Sequence, residues 1–80
     1  MSAMFEVLYK SPPDPSREAV ISERAGQFGG RLTYREEPDL AGMGPVCLTF
    51  EFSELTVAER AANSLRSQGE HVEGPSDYGD

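Results

Sequence analysis

The sequence predicts an α+β fold in which two helices cover one face of a four-stranded antiparallel sheet. Three observations predict it. Apolar residues alternate over 4–10, 31–37 and 45–52, and more briefly over 70–74, the two-residue period of half-buried strands. Between these segments, after Asp14 and after Ser53, apolar residues recur at helical spacing. Glycine and proline clusters separate the segments, giving the order strand–helix–strand–strand–helix–strand.

The first strand, "MFEVLYK", sends Phe5, Val7 and Tyr9 to one face and Met4, Glu6, Leu8 and Lys10 to the other. "SPPDP" breaks it. Asp14 is placed to cap the first helix, with Pro15 at its first position, where a missing amide hydrogen costs nothing. Ile21, Ala25 and Phe28, flanked by Val20, form the apolar stripe, and Gly29-Gly30 ends the helix. In "RLTYREE" the alternation turns Leu32 and Tyr34 inward and Thr33 and Arg35 outward. "PDLAGMG" is a hairpin loop. "PVCLTFEF" is the strongest strand, with Val46, Leu48, Phe50 and Phe52 inward and Cys47, Thr49 and Glu51 outward. Ser53 is placed to cap the second helix, with Phe52 and Val57 as a hydrophobic staple. Ala58, Ala61, Ala62 and Leu65 make that helix's stripe, and Gly69 stops it. "EHVEG" is a short last strand with Val72 inward.

Right-handed crossovers place strands one and three at the centre, in the order 4-1-3-2. This is the ferredoxin-like βαββαβ arrangement. A single domain over 1–75 and a flexible tail over 76–80 follow from the pattern. Both edges read as protected, the second strand by Arg31, Arg35, Glu36 and Glu37 and the fourth by an early stop at Gly74-Pro75.

Eighty residues allow one small core, burying about 60% of the surface an unfolded chain exposes. Seven basic residues against fourteen acidic ones leave a net charge of −7. Such a surface repels phosphate backbones and anionic lipid heads, which disfavours nucleic acid and membranes as partners. The arginines are dispersed among acids, with no basic patch. The single cysteine, Cys47, suits a reducing compartment. No segment has a signal peptide's pattern or a membrane span's length. A cytoplasmic location is therefore expected.

The chain resembles the RNA recognition motif family at the level of fold. The order of elements matches over 4–74, and "GPVCLTFEFSELTVAERAANSL" has the cadence of that family's third strand and second helix. The family's octapeptide reads basic, glycine, aromatic, small, aromatic, aliphatic, any, aromatic. Met43, Gly44, Pro45, Val46, Cys47, Leu48, Thr49 and Phe50 occupy those places. Gly44, Val46, Leu48 and Phe50 match, serving the turn and the core. The exposed aromatics on which RNA bases stack are replaced by Pro45 and Cys47, and by Glu6 on the first strand. Each lost stack removes about 1–3 kcal/mol of binding. The resemblance thus implies the fold and argues against RNA. The topology is also similar to that of amino-acid-sensing ACT domains, which bind small ligands near the first strand–helix turn. That turn here, "KSPPDPS", is stiffened by prolines and has few amides to hold a carboxylate.

Few residues suggest chemistry. His71 and Glu73 share a strand face, but zinc needs three or four ligands, and Asp77 and Asp80 lie in the expected tail. Cys47 and His71 are separated by the first strand, about 10 Å across two strand spacings, too far for a nucleophile–base pair. "AGMG" feeds a strand rather than a helix N-terminus, so it makes no phosphate cradle. No catalytic residue, metal ligand or cofactor site is assigned, and the chain is not expected to be an enzyme.

The helix-free sheet face remains. Met4, Leu8, Thr33, Arg35, Cys47, Thr49 and Glu51 are the candidate interface residues, with Arg35–Glu51 cross-strand pairing the ordinary alternative. The expected role is a small acidic interaction or regulatory domain that binds protein through this face or the Gly-rich hairpin. Its partner would be another protein or, weakly, a second copy. The alternative is a degenerate RNA-recognition-motif-like nucleic-acid binder.

Overall fold

Alternation in two segments builds the centre of the sheet. The computed structural model describes residues 2–38 and 44–77. In it β1 (Ala3–Lys10) pairs antiparallel with β3 (Pro45–Phe52), matching Ala3 with Phe52, Phe5 with Phe50, Val7 with Leu48 and Tyr9 with Val46. Residues directly opposite in an antiparallel pair point to the same face, so this register gathers eight inward side chains, all of them buried. Phe5 anchors the cluster, its ring centroid 5.9 Å from that of Phe50 and 5.1 Å from that of Phe52.

The helices α1 (Pro15–Gln27) and α2 (Leu55–Ser67) close over that face. Asp14 caps α1, its carboxylate accepting the Arg17 amide at 3.1 Å, and Pro15 holds the first helical position. Ile21 and Ala25 are buried and Phe28 packs at the margin of the core. The second cap differs from expectation. Glu54, not Ser53, occupies it, with no side-chain hydrogen bond. Phe52 is still held in the sheet by Ala3, so Ser53 is spent leaving the strand before Glu54 O accepts the first helical amide, from Ala58. The stripe of Ala58, Ala61, Ala62 and Leu65 is fully buried. Gly29 and Gly69 lie at positive φ just past the two helices, where a side chain would be strained.

The sheet order is β2-β3-β1-β4, with β2 (Arg31–Glu36) and β4 (His71–Asp77) at the edges. This is the ferredoxin-like βαββαβ topology in the order 4-1-3-2. Both edge strands depart from simple alternation. In β2 the register shifts between Leu32, opposite Phe50, and Tyr34, opposite Thr49. A bulge therefore sets Thr33 and Tyr34 together against one partner residue. One extra residue reverses the alternation beyond it. Tyr34 accordingly lies on the open face and is 59% exposed, whereas Arg35, opposite Leu48, points to the helix side. Leu32 keeps the inward direction but sits at the sheet margin, 43% exposed.

In β4, Gly74-Pro75 does not stop the strand. Phe5 faces a bulge there, between the pairs Met4–Ser76 and Glu6–Glu73, and pairing resumes to Asp77 opposite Ala3. Gly74 adopts φ +102°, which only glycine supplies easily. The expected boundary between domain and tail at 75 thus falls inside a strand.

Polar ties join the rim. The buried Tyr9 hydroxyl accepts the Asp14 amide at 2.8 Å and donates to Glu18. Glu18 is also gripped by both arms of Arg35, at 2.7 and 2.9 Å. One junction thereby ties β1, α1 and β2. Arg17 lies 4.9 Å from the centroid of the Tyr9 ring and pairs with Glu70 at 2.8 Å. Arg66, in the last turn of α2, donates to the main-chain carbonyls of Val72 at 3.0 Å and Gly74 at 2.7 Å in β4.

Two predictions follow from this packing. A Cβ on Gly30 would stand 2.3 Å from the Phe52 ring, while one on Gly26 meets nothing within 4 Å. Gly30→Ala should lower the urea-denaturation free energy by about 1–3 kcal/mol, and Gly26→Ala should raise it by up to about 1 kcal/mol. Equal effects would exclude the close approach.

The second concerns acid. The Arg35 guanidinium, and then the Tyr9 hydroxyl, hold the Glu18 carboxyl below its usual range against the opposing effect of burial. A depressed carboxylate contributes stability above its unfolded pKa, about 4.3, and loses it as pH falls through the folded value. Melting curves from neutral pH to about pH 3 should therefore show a steeper acid loss for the wild type than for Glu18→Gln. Parallel acid limbs would show that Glu18 contributes nothing.

Candidate functional site

The sheet face away from the helices is organised in rows by the same registers. Glu36, Cys47, Leu8 and His71 stand in one row, Tyr34, Thr49, Glu6 and Glu73 in the next, and Arg31, Glu51, Met4 and Ser76 in the third. Met4, Leu8, Cys47, Thr49 and Glu51 are half-buried by their neighbours in the sheet. These five expected residues are brought together on one surface. Thr33 sits in the bulge, its hydroxyl 3.4 Å from the Thr49 carbonyl. Arg35 is absent from this surface, because the bulge turns it toward Glu18. The expected Arg35–Glu51 pair is replaced by Arg31–Glu51 at 3.0 Å.

Apolar and acidic side chains alternate on this face, whose central row holds Thr49 and Glu6. Leu8 and Cys47 lie side by side in the first row, Met4 stands two rows away on β1 with Glu6 between, and the carboxylates of Glu6, Glu36, Glu51 and Glu73 stand among them. Lys10, Arg31 and His71 are the basic side chains in this arrangement. A depression of about 250 Å³ lies among Met4, Glu6, Thr49, Glu73 and Ser76, where the Gly74 bulge opens the β1–β4 seam. It is large enough to receive a side chain of a bound partner.

Two groups here invite a chemical reading. The Cys47 sulfur lies 3.5 Å from Glu6 Oε2. Burial, and then the Glu6 carboxylate, push its thiol up to about 11. The nucleophilic form is the thiolate, so Cys47 is a protonated, poorly reactive thiol at neutral pH. His71 Nε2 lies 3.2 Å from Glu73 Oε2 on an exposed part of β4. Leu8 stands between Cys47 and His71 in their row, so β1 separates them. Among the described residues, no three His, Cys, Asp or Glu side chains are grouped to hold a metal ion. No described helix is long and apolar enough to cross a membrane. The Gly-rich part of the hairpin, 39–43, and the end of the chain, 78–80, lie outside the described residues.

Tyr34 is the open-face residue that sequence alternation misplaces. Nothing in "RLTYRE" marks a bulge, since the segment lacks the glycine that often signals one. No family model matches the chain, and no curated protein matches it significantly.

The thiol's environment is directly measurable. Alkylation of Cys47 by iodoacetamide near pH 8 should be at least about tenfold slower in the folded protein than in urea. Equal rates would mean that Cys47 is neither buried nor influenced by Glu6.

Proposed function

We propose that this protein is a non-catalytic binding module that takes a basic, amphipathic segment of another protein on its open sheet face. The observation that carries the reading is the set of half-buried apolar side chains, Leu8 beside Cys47 and Met4 further along β1, interspersed with the carboxylates of Glu6, Glu36, Glu51 and Glu73. Apolar side chains mixed with polar ones in this proportion suit a small, non-obligate interface. The surplus of carboxylates favours lysine- or arginine-bearing partners and speeds their encounter. The protonated state of Cys47 and its separation from His71 support a role without covalent chemistry.

A second reading rests on Tyr34. It supplies one exposed aromatic on the open face, beside Thr49 and on the same strand as Arg31. A nucleobase could stack on it, as in a degenerate RNA-recognition-motif-like domain. One stacking platform contributes about 1–3 kcal/mol, and the four neighbouring carboxylates oppose a phosphate backbone. The protein-binding reading is therefore preferred.

Affinity capture with three forms of the protein tests this. Wild type and Val20→Lys, altered on the exposed side of α1, should retain the same partner, and Leu8→Lys should lose it while melting within a few degrees of wild type. Val7, one residue away, is fully buried, and Val7→Lys should unfold the domain because an unpaired buried charge costs several kcal/mol. A partner retained by Leu8→Lys would rule out the open face. Binding of mixed-sequence single-stranded RNA at about micromolar strength in physiological salt, abolished by Tyr34→Ala, would establish the second reading instead.

A further inference from the structure

The two edges of the sheet are finished differently. On β4, Arg66 occupies the main-chain carbonyls of Val72 and Gly74, and Pro75 brings no amide hydrogen. On β2 all six residues are exposed, and none is proline or glycine. Each keeps its N–H, and Leu32 and Tyr34, 43% and 59% exposed, stand along the strand. The charges expected to protect this edge are partly diverted, because Arg35 is held by Glu18 and Glu37.

We propose that β2 pairs antiparallel with β2 of a second copy about a two-fold axis between Thr33 and Tyr34, fusing two four-stranded sheets into one. Register and charge both select this occupant. The bulge directs Arg31, Tyr34 and Glu36 to the open face and Leu32 and Arg35 to the helix side, with Thr33 sharing Tyr34's place opposite Thr49. Antiparallel self-pairing centred between Thr33 and Tyr34 sets Arg31 against Glu36 and Leu32 against Arg35, so side chains of the same face meet throughout. Shifting the register by one residue sets Arg31 against Arg35 and opposes residues of different faces. In the matched register the Arg31–Glu36 pair forms twice, once on each side of the axis. Arg31 binds Glu51 through one Nη and its side chain stays 78% exposed, so it has further donors to share. Opposite charges directly across a ladder stabilise it. The aliphatic stem of Arg35 covers Leu32 of the other copy, and Tyr34 is flanked by Thr33. The self-complementary patch has the form that a two-fold interface requires. Glu36 borders both surfaces, but Leu8 lies on β1 away from this edge, so Leu8→Lys separates the partner on the face from the dimer.

Charge exchange tests it on the intact protein. Sedimentation equilibrium at concentrations up to about 1 mM should show a monomer–dimer equilibrium for the wild type. Arg31→Glu and Glu36→Arg alone should each weaken the dimer at least about tenfold, by converting two attractions into two repulsions. The double variant Arg31→Glu/Glu36→Arg should dimerise more tightly than either single variant, because the pairs between copies are reversed rather than removed, while the Arg31–Glu51 pair within each copy is lost. Thermal melts confirm that all three variants fold. A wild type monomeric throughout, single variants that dimerise unchanged, or a double variant that fails to recover would overturn the proposal. Dissociation by Leu8→Lys with the charge variants unaffected would likewise overturn it, locating self-association on the open face. A monomeric wild type whose partner binding is abolished by Leu8→Lys would leave the open-face reading intact.

Discussion

The fold depends on a division of bulk between sheet and helices. The sheet contributes Phe5, Phe50, Phe52, Leu48 and Tyr9, while α2 contributes three alanines and one leucine. Small side chains let the helix backbone approach the sheet, and the aromatic rings fill the interval. Interiors pack close to the density of organic crystals, so each layer's residue sizes are constrained by the other. Gly30 belongs to the same constraint, since its bare α-carbon admits the Phe52 ring. One consequence is that the apolar content is spent on a single face. Among the described residues the opposite face retains the half-buried Met4, Leu8 and Cys47 and the exposed Tyr34, set among carboxylates.

Around this core, polar contacts fix how the elements meet. The Tyr9 hydroxyl is the hub at one end, accepting from Asp14 and donating to Glu18, which Arg35 grips in turn. Burial and the Glu18 hydrogen bond hold the Tyr9 phenol above its ordinary range, so it remains a donor. The pairing of Arg17 with Glu70 draws the start of α1 toward the approach to β4 and holds the Arg17 guanidinium above its ordinary range. Exposed ion pairs usually contribute little individually. Glu18 differs because its carboxylate is mostly covered, with 14% of its side chain accessible.

Most of the fold was legible because its central strands alternate without interruption. Phe5, Val7 and Tyr9, like Val46, Leu48, Phe50 and Phe52, have the faces that a period of two assigns. Asp14-Pro15 marked a helix start and Gly29 and Gly69 marked helix ends for local backbone reasons. The misreadings lie where tertiary pairing overrides local pattern. Ser53 is the better intrinsic cap, but the strand pair holds the chain extended until Glu54 takes the position. Gly74-Pro75 read as a stop and is instead a bulge within β4. Thr33-Tyr34 carries no local signal, yet its bulge moves Arg35 off the open face and Tyr34 onto it. The face carried by β1 and β3 could thus be read from the chain, whereas the part carried by β2 could not.

Arg66 has a consequence for how far association can extend. A sheet receptive at both margins can bind a neighbour on each side and propagate like a chain of difunctional monomers. With its guanidinium on Val72 and Gly74, β4 has two carbonyls already occupied, and the proposed pairing uses β2. On the proposed pairing the molecule is monofunctional, because addition at β2 consumes the receptive end of each participant. Growth by that route would terminate at a closed pair rather than seed a fibre. The arginine that fastens a helix to its neighbouring strand also acts as the chain stopper.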